Sequence, residues 1–202
     1  MDASFYTTIS KEGQAEFRDR GSRFIAFAFP VSSIVQFKEK LEEVKKEHPK
    51  ATHHCFAYRI GIEGNTFRVS DDGEPSGTAG RPILGQIDSK QLTDLLIVVV
   101  RYFGGTLLGV PGLIAAYKTA ASMVLQTTSF VQKSIDDNFI IHFDYESIND
   151  IMLIVKQHGC SVISQEMSLF CNVTIGIPRA RVSEVIYRLE DLRNVEVKKL
   201  PG

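Results

Sequence analysis

The chain has 202 residues, enough for two modest domains that each bury a core. Its 44% apolar and 23% charged residues exclude an intrinsically disordered chain. The formal charge of −1 divides into 16 Lys and Arg against 14 Asp and Glu over residues 1–135 and 7 against 10 over residues 136–202, which excludes a polybasic nucleic-acid binder in either half.

No run reaches the roughly 20 apolar residues of a membrane span. Residues 95–100, as long an apolar run as any in the chain, end at Arg101 and read as a buried strand. Residues 1–4 carry neither the basic nor the apolar region of a signal peptide, so a cytoplasmic location without membrane attachment is expected. Cys55, Cys160 and Cys171 lack C-x-x-C spacing and are expected to be buried, reduced thiols rather than a disulfide framework or a zinc site.

In chain order, strands are predicted at 5–9, 14–18 and 22–29, the last stopped by Pro30. Ser33 and Gln36 form a capping box that opens a helix whose Ile34, Phe37, Leu41 and Val44 recur at helical spacing until His48 and Pro49. Residues 53–61 and 66–70 alternate as a hairpin turned at Glu63, Gly64 and Asn65. A helix at 81–89, a central strand at 94–103 and an Ala-rich helix at 112–127 complete an α+β pattern. Residues 128–137 show no strong periodicity, so the domain boundary is placed near 135. Beyond it the pattern reads strand 138–145, helix 147–158, strand 160–165, strand 168–177, helix 179–192 and strand 195–200, the β-α-β-β-α-β order of a ferredoxin-like domain.

Two glycine-rich turns stand out. Residues 70–82, S-D-D-G-E-P-S-G-T-A-G-R-P, put Asp71, Asp72 and Glu74 among glycines and prolines just before a helix. Thr78 is a candidate N-cap and Pro82 a first-turn residue, so the amides there could receive an anion if a cation offset the carboxylates. Alternatively, Asp71 and Asp72 cap turns and pair with Arg68, Arg81 or Arg101. Residues 101–112, R-Y-F-G-G-T-L-L-G-V-P-G, join a strand to a helix. They lack the Gly-Lys-Ser/Thr ending of a phosphate-binding loop and do not fit G-x-G-x-x-G.

Together, S-D-D-G-E-P-S-G-T-A-G-R-P-I-L and V-V-V-R-Y-F-G-G-x-x-L-G-x-x-G-L-x-x-A-Y, preceded by H-x-C-F-A-Y-R-I-G, closely resemble the signature of the YigZ/IMPACT family. The resemblance covers nearly the whole chain. It implies a ribosomal protein S5 domain 2-like fold for residues 1–135 and, for residues 136–202, a ferredoxin-like domain similar to the C-terminal domains of elongation factor G. It also implies a regulatory binding function linked to translation. Eukaryotic members restrain a stress kinase by competing for its ribosome-associated activator; for a bacterial member the implied partners are the ribosome, a translation factor or another protein. The chain departs from the family pattern at Leu107 and Ala115, where basic residues are expected, and at Pro111 and Gly112, where Gly-Gly is expected. RNA binding is thereby weakened.

The candidate binding surface is Asp71, Asp72, Glu74, Ser76, Thr78, Arg81, Arg101, Tyr102, Gly104, Gly105 and Tyr117. No catalytic residue, metal or cofactor is expected. A rival reading is a metal-assisted hydrolase or a nucleotide-binding protein built on the acidic loop, with Arg81 and Arg101 as anion clamps. Of His53 and His54, neighbours on a strand, one faces inward and one outward. Tyr102, Phe103 and Tyr117 could stack on bases but read better as core. Arg179, Arg181 and Arg188 form a basic, solvated stripe.

Overall fold

A computed structural model describes residues 4–168 and 171–201. The chain forms two compact units, one spanning Tyr6–Lys133 and the other made of residues 4–5 and 134–201.

β1 (Phe5–Ile9) pairs with β7 (Phe130–Ser134), and in the first unit β2 (Gly13–Asp19), β3 (Ser22–Pro30), β6 (Leu95–Tyr102), β4 (His53–Ile60) and β5 (Thr66–Ser70) form an antiparallel sheet in that spatial order. The apolar run of β6 lacks alternation because both of its faces are covered. Leu95, Ile97 and Val99 face one core with Phe24, Ala26, Ala28, Cys55 and Ala57; Leu96, Val98 and Val100 face another with Ile25, Phe27, Phe56 and Tyr58. The first core is closed by α2 (Gly80–Ser89) and α3 (Gly109–Gln126), and its small strand residues make room for the Ala116, Ala120 and Ala121 stripe of α3. The second is closed by α1 (Ile34–Glu47) through Phe37, Leu41 and Val44, in the expected spacing. Ser33 caps α1 by accepting the Gln36 amide, while the Gln36 side chain reaches back to the amide of Ser32.

Two expectations are corrected. β7 occupies a segment expected to be irregular; its side chains are mostly exposed and it pairs only with β1, so no apolar alternation marks it. Helix α3 begins at Gly109 rather than 112, taking Pro111 into its first turn, where amides have no intrahelical acceptor to lose.

In the second unit, β8 (Asp136–Phe143), α4 (Ile148–Gln157), β9 (Ser161–Glu166), β10 (Cys171–Pro178), α5 (Val182–Glu190) and β11 (Val195–Lys199) follow in sequence, and the antiparallel sheet has the order β11-β8-β10-β9. Short 3₁₀ turns, Tyr145–Ser147 and Arg179–Arg181, lead into the two helices. Ile151, Ile154, Val155, Val185 and Leu189 of the helices pack on Phe139, Ile141, Val173, Ile175 and Ile177 of the sheet. Residues 169 and 170 of the expected 168–177 strand lie outside the described residues. Of the expected basic stripe, Arg179 binds Asp137 at 3.0 Å and Arg188 lies 4.0 Å from Glu184. No helix among the described residues is long and apolar enough to cross a membrane.

The turn after β6 is seated directly on the β2–β3 turn. A Cβ on Gly104 would fall 1.9 Å from the Gly21 carbonyl carbon, backbone against backbone. Gly105 has open space around it but a φ of +86°. Gly104→Ala is therefore expected to cost about 3 kcal/mol or more and Gly105→Ala only about 1 kcal/mol. Urea unfolding followed by circular dichroism checks the order; equal costs would refute the steric account.

Candidate functional site

The two glycine-rich loops converge. Glu74 of the first meets Arg101 at the start of the second and Tyr117 of α3, and at the C-terminal ends of the helices Gln86 of α2, Lys90 just past it, and Ser122, Leu125 and Gln126 of α3 line one cavity. Across the sheet, Phe24 on β3, Arg101 on β6 and His53 on β4 stand opposite one another in register, forming a row beneath the 70–82 loop.

Glu74 reaches down to that row. Its Oε1 accepts from Arg101 Nη1 at 2.7 Å and from Tyr117 Oη at 2.8 Å, with His53 Nε2 at 3.8 Å. The Glu74 and Arg101 side chains are only 4% and 6% exposed. A guanidinium this deep needs a counter-charge and donors spent on acceptors. Arg101 also donates from Nη2 to Ser22 Oγ at 3.3 Å and lies 5.5 Å from the ring centres of both Phe24 and Phe103, while its buried Nε has no partner among the described residues. Ser22 Oγ in turn accepts the Gly104 amide, tying the second loop to the same point.

Tyr117 is fully buried, edge-on to Phe24 at 5.2 Å, with the Cys55 thiol 3.3 Å from its hydroxyl. Burial first, and then the neighbouring Cys55 and Glu74, push its pKa far up, so it stays a neutral donor. Burial likewise raises the Cys55 thiol, which lies 3.0 Å from the Asp71 carbonyl oxygen; it is a packing group and not a thiolate nucleophile.

The acidic residues of the loop have separate tasks. Asp71 accepts the amides of Gly77 at 2.8 Å, Ala79 at 3.0 Å and Gly80 at 2.9 Å, and so caps α2 from nine residues away. This displaces the expected cap: Thr78 is buried and donates its hydroxyl to the Pro75 carbonyl instead. Burial is the largest influence on Asp71 and raises its pKa, but the amides of Gly77, Gly80 and Ala79, with the charge of Arg81, outweigh it and hold the carboxyl below its ordinary value. Asp72, at a φ of +42°, accepts the His54 amide at 2.6 Å, and its carbonyl takes the Nδ1 proton of His53 at 2.7 Å. Asp71 thus pairs with backbone, and it is Glu74 that pairs with Arg101. Among the described residues no three His, Cys, Asp or Glu side chains gather as a metal site.

Of the remaining candidates, Ser76, Arg81, Gly104 and Gly105 are exposed on this surface. Tyr102 is not part of it. Next to Arg101 on the strand, it points to the opposite sheet face, where its hydroxyl meets His48 Nδ1 at 2.9 Å. Ser22 and Phe24 escaped the sequence reading because a strand of apolar and small residues gives no sign of which ones face a loop far along the chain. Cys55, expected to be buried, and His53, one of two strand neighbours of which one is expected to face inward, both line the loop's underside.

Fold and site together define a two-unit α/β protein in which two glycine-rich loops close over a buried Glu-Arg-Tyr contact. The chain belongs to the IMPACT family. Residues 20–125, which hold every candidate residue, match the Impact N-terminal domain. The chain is 33% identical over 172 residues to IMPACT family member YigZ of Escherichia coli (strain K12), covering 84% of each protein. It is 41% identical over 130 residues to IMPACT family member YvyE of Bacillus subtilis (strain 168), or 64% of this chain and 60% of that one. Protein IMPACT of Xenopus laevis is 43% identical over 97 residues, 45% of this chain and 30% of that protein. A solved structure titled as an hypothetical protein superposes with a TM-score of 0.83 at 27% identity over 99% of both chains.

Glu74→Gln leaves Arg101 buried without its counter-charge and is expected to cost about 3–5 kcal/mol, whereas Glu74→Met with Arg101→Met costs less than the two single changes together. A double-mutant cycle in urea reads this, and additive losses would refute the pairing. Because the folded pKa of Asp71 is depressed, the stability it adds is present above the unfolded carboxyl pKa of about 4 and is lost as pH falls through the folded value. Asp71→Asn, which turns an amide donor toward a backbone N–H, is expected to lose about 1–3 kcal/mol at neutral pH. It should also be less acid-sensitive than wild type between pH 3 and 5, as urea titrations at each pH would register.

Proposed function

We propose that this chain is a non-enzymatic binding protein linked to the regulation of translation, associating with the ribosome or a translation factor through the surface formed by residues 70–82 and 103–115. The observation that carries this reading is the direction of the side chains. Glu74, Arg101, Tyr117 and Cys55 spend their polar groups on one another beneath the surface, and Asp71 spends its carboxylate on backbone amides. Acid–base or nucleophilic chemistry needs such groups free to meet substrate. A recognition surface needs a stiff base with contact groups outside, and Phe103, Leu107 and Val110 are exposed there.

The translation link is supported by IMPACT family membership, given the role that the resemblance assigns to eukaryotic members. In this reading the first domain, residues 1–135, is ribosomal protein S5 domain 2-like. The second, residues 136–202, is ferredoxin-like, an assignment supported by the β11-β8-β10-β9 order with both helices on one sheet face. The exposed Leu107 and Ala115 favour a protein over an RNA partner. Activity in the cytoplasm fits such partners.

In sucrose-gradient sedimentation of purified protein with ribosomes, we expect part of the chain in ribosomal fractions at low salt and less at moderate salt. Absence from every ribosomal fraction at both salts would refute the ribosome form of the proposal.

A further inference from the structure

The start of α3 is unusual for a protein surface. Leu107 is 83% exposed and Val110 52%, and Ile114, Pro111, Ala115 and Phe103 are exposed beside them. Val110, Ile114 and Lys118 recur at four-residue spacing and so share one helix face, which Leu107 precedes. Contiguous exposed aliphatics on a rigid element mark an interaction site rather than scattered surface variation. Phe103 is braced against Arg101 beneath it, and the turn itself is braced on Gly21, so the strip is preformed.

Charge decides what covers it. Helix α3 has no side-chain N-cap and no acidic residue in its first turn, leaving amides and the positive end of the helix dipole facing outward. Lys118 lies on the same helix face, roughly 12 Å beyond Val110 at 1.5 Å per residue. Arg81 stands at the adjoining N-terminus of α2, and Arg20 stands in the turn that touches Gly104. None of these three cations is ion-paired among the described residues. Of the nearby carboxylates, Asp71 is held by three amides and Asp72 by the His54 amide.

A second copy of the chain docked through the same patch would set Arg20, Arg81 and Lys118 against the same set of cations, a like-charge contact. RNA would find a single ring, Phe103, among the aliphatic side chains of the strip, short of the successive rings on which neighbouring bases stack. We infer that this strip docks an acidic amphipathic segment of a partner protein, whose apolar side chains cover Leu107, Val110 and Ile114 while one carboxylate caps α3 and another reaches Lys118. The inference names the partner chemistry of the surface proposed above and rests on that reading.

The test is selection of displayed random peptides, about 16 residues long, on the full chain, with counter-selection on Leu107→Asp/Ile114→Asp. Enriched peptides should combine two or three apolar residues with flanking Asp or Glu. Their binding should weaken at least about 30-fold on that variant and about 3-fold or more on Lys118→Glu. Leu107→Ser serves if the double variant does not fold by circular dichroism. No enrichment, or enrichment of basic or uncharged peptides, overturns the inference. So does self-association in ultracentrifugation that Leu107→Asp abolishes, or binding of a short single-stranded RNA that the same change abolishes. The peptide readout needs no ribosome, so its success alongside failed co-sedimentation would refute only the ribosome form of the proposed function, and its failure alongside successful co-sedimentation only this docking mode.

Discussion

Glu74 and Arg101 are 27 residues apart in sequence and nearly out of contact with water. Ionised groups so placed cost several kcal/mol each in lost hydration, which only a close partner and further hydrogen bonds can offset. The pair therefore fixes much around it. Glu74 can reach Arg101 only if the loop folds down over β6, and the loop can fold down only if the amides at its end are satisfied, which Asp71 does. Tyr117 brings α3 to the same carboxylate oxygen, and Ser22 brings the β2–β3 turn and Gly104. Loop, central strand, helix and hairpin turn are joined at one buried ion pair. A packing that separated the two side chains would leave each charge without this partner, so the pair favours one arrangement of these elements whether or not it adds net stability over an apolar substitute.

This arrangement inverts what the composition of the loops suggests. Glycines, carboxylates and an arginine in two turns look like the outside of a reactive cleft. Here the polar chemistry lies inside and supports the backbone, and the outer surface is aliphatic with cations around it. The glycines let backbones meet, as at Gly104 on Gly21, where in a cleft they would admit a substrate.

The elements of the fold were largely legible because burial imposes its period on the sequence. The two-faced burial of β6, the capped amphipathic α1 and the β-α-β-β-α-β run of the second unit all leave apolar patterns. β7 left none, since its exposed residues answer only to backbone pairing. In the site, the family pattern points to the loops and to Glu74, Arg101 and Tyr117 as binding surface, but the structure buries all three side chains beneath it, and their partners leave no mark in the sequence. Nothing local tells that Asp71 caps a helix while Glu74, three residues on, meets a strand 27 residues away; that depends on tertiary register. Tyr102 was misplaced by proximity in sequence, although strand alternation already separates it from Arg101.

The second unit is not continuous in sequence. The chain leaves it between Phe5 and Tyr6 and returns between Lys133 and Ser134, and the Ser4 carbonyl accepts the amide of Ile135, whose own carbonyl accepts that of Arg179. Cutting the gene once, anywhere near residue 135, therefore yields no intact pair of halves: the C-terminal fragment loses the acceptor for a buried residue's amide, and the N-terminal fragment carries an orphaned end. The two units are joined at the level of covalent topology, as an insertion is to its host, so a single cut in the chain does not part them cleanly.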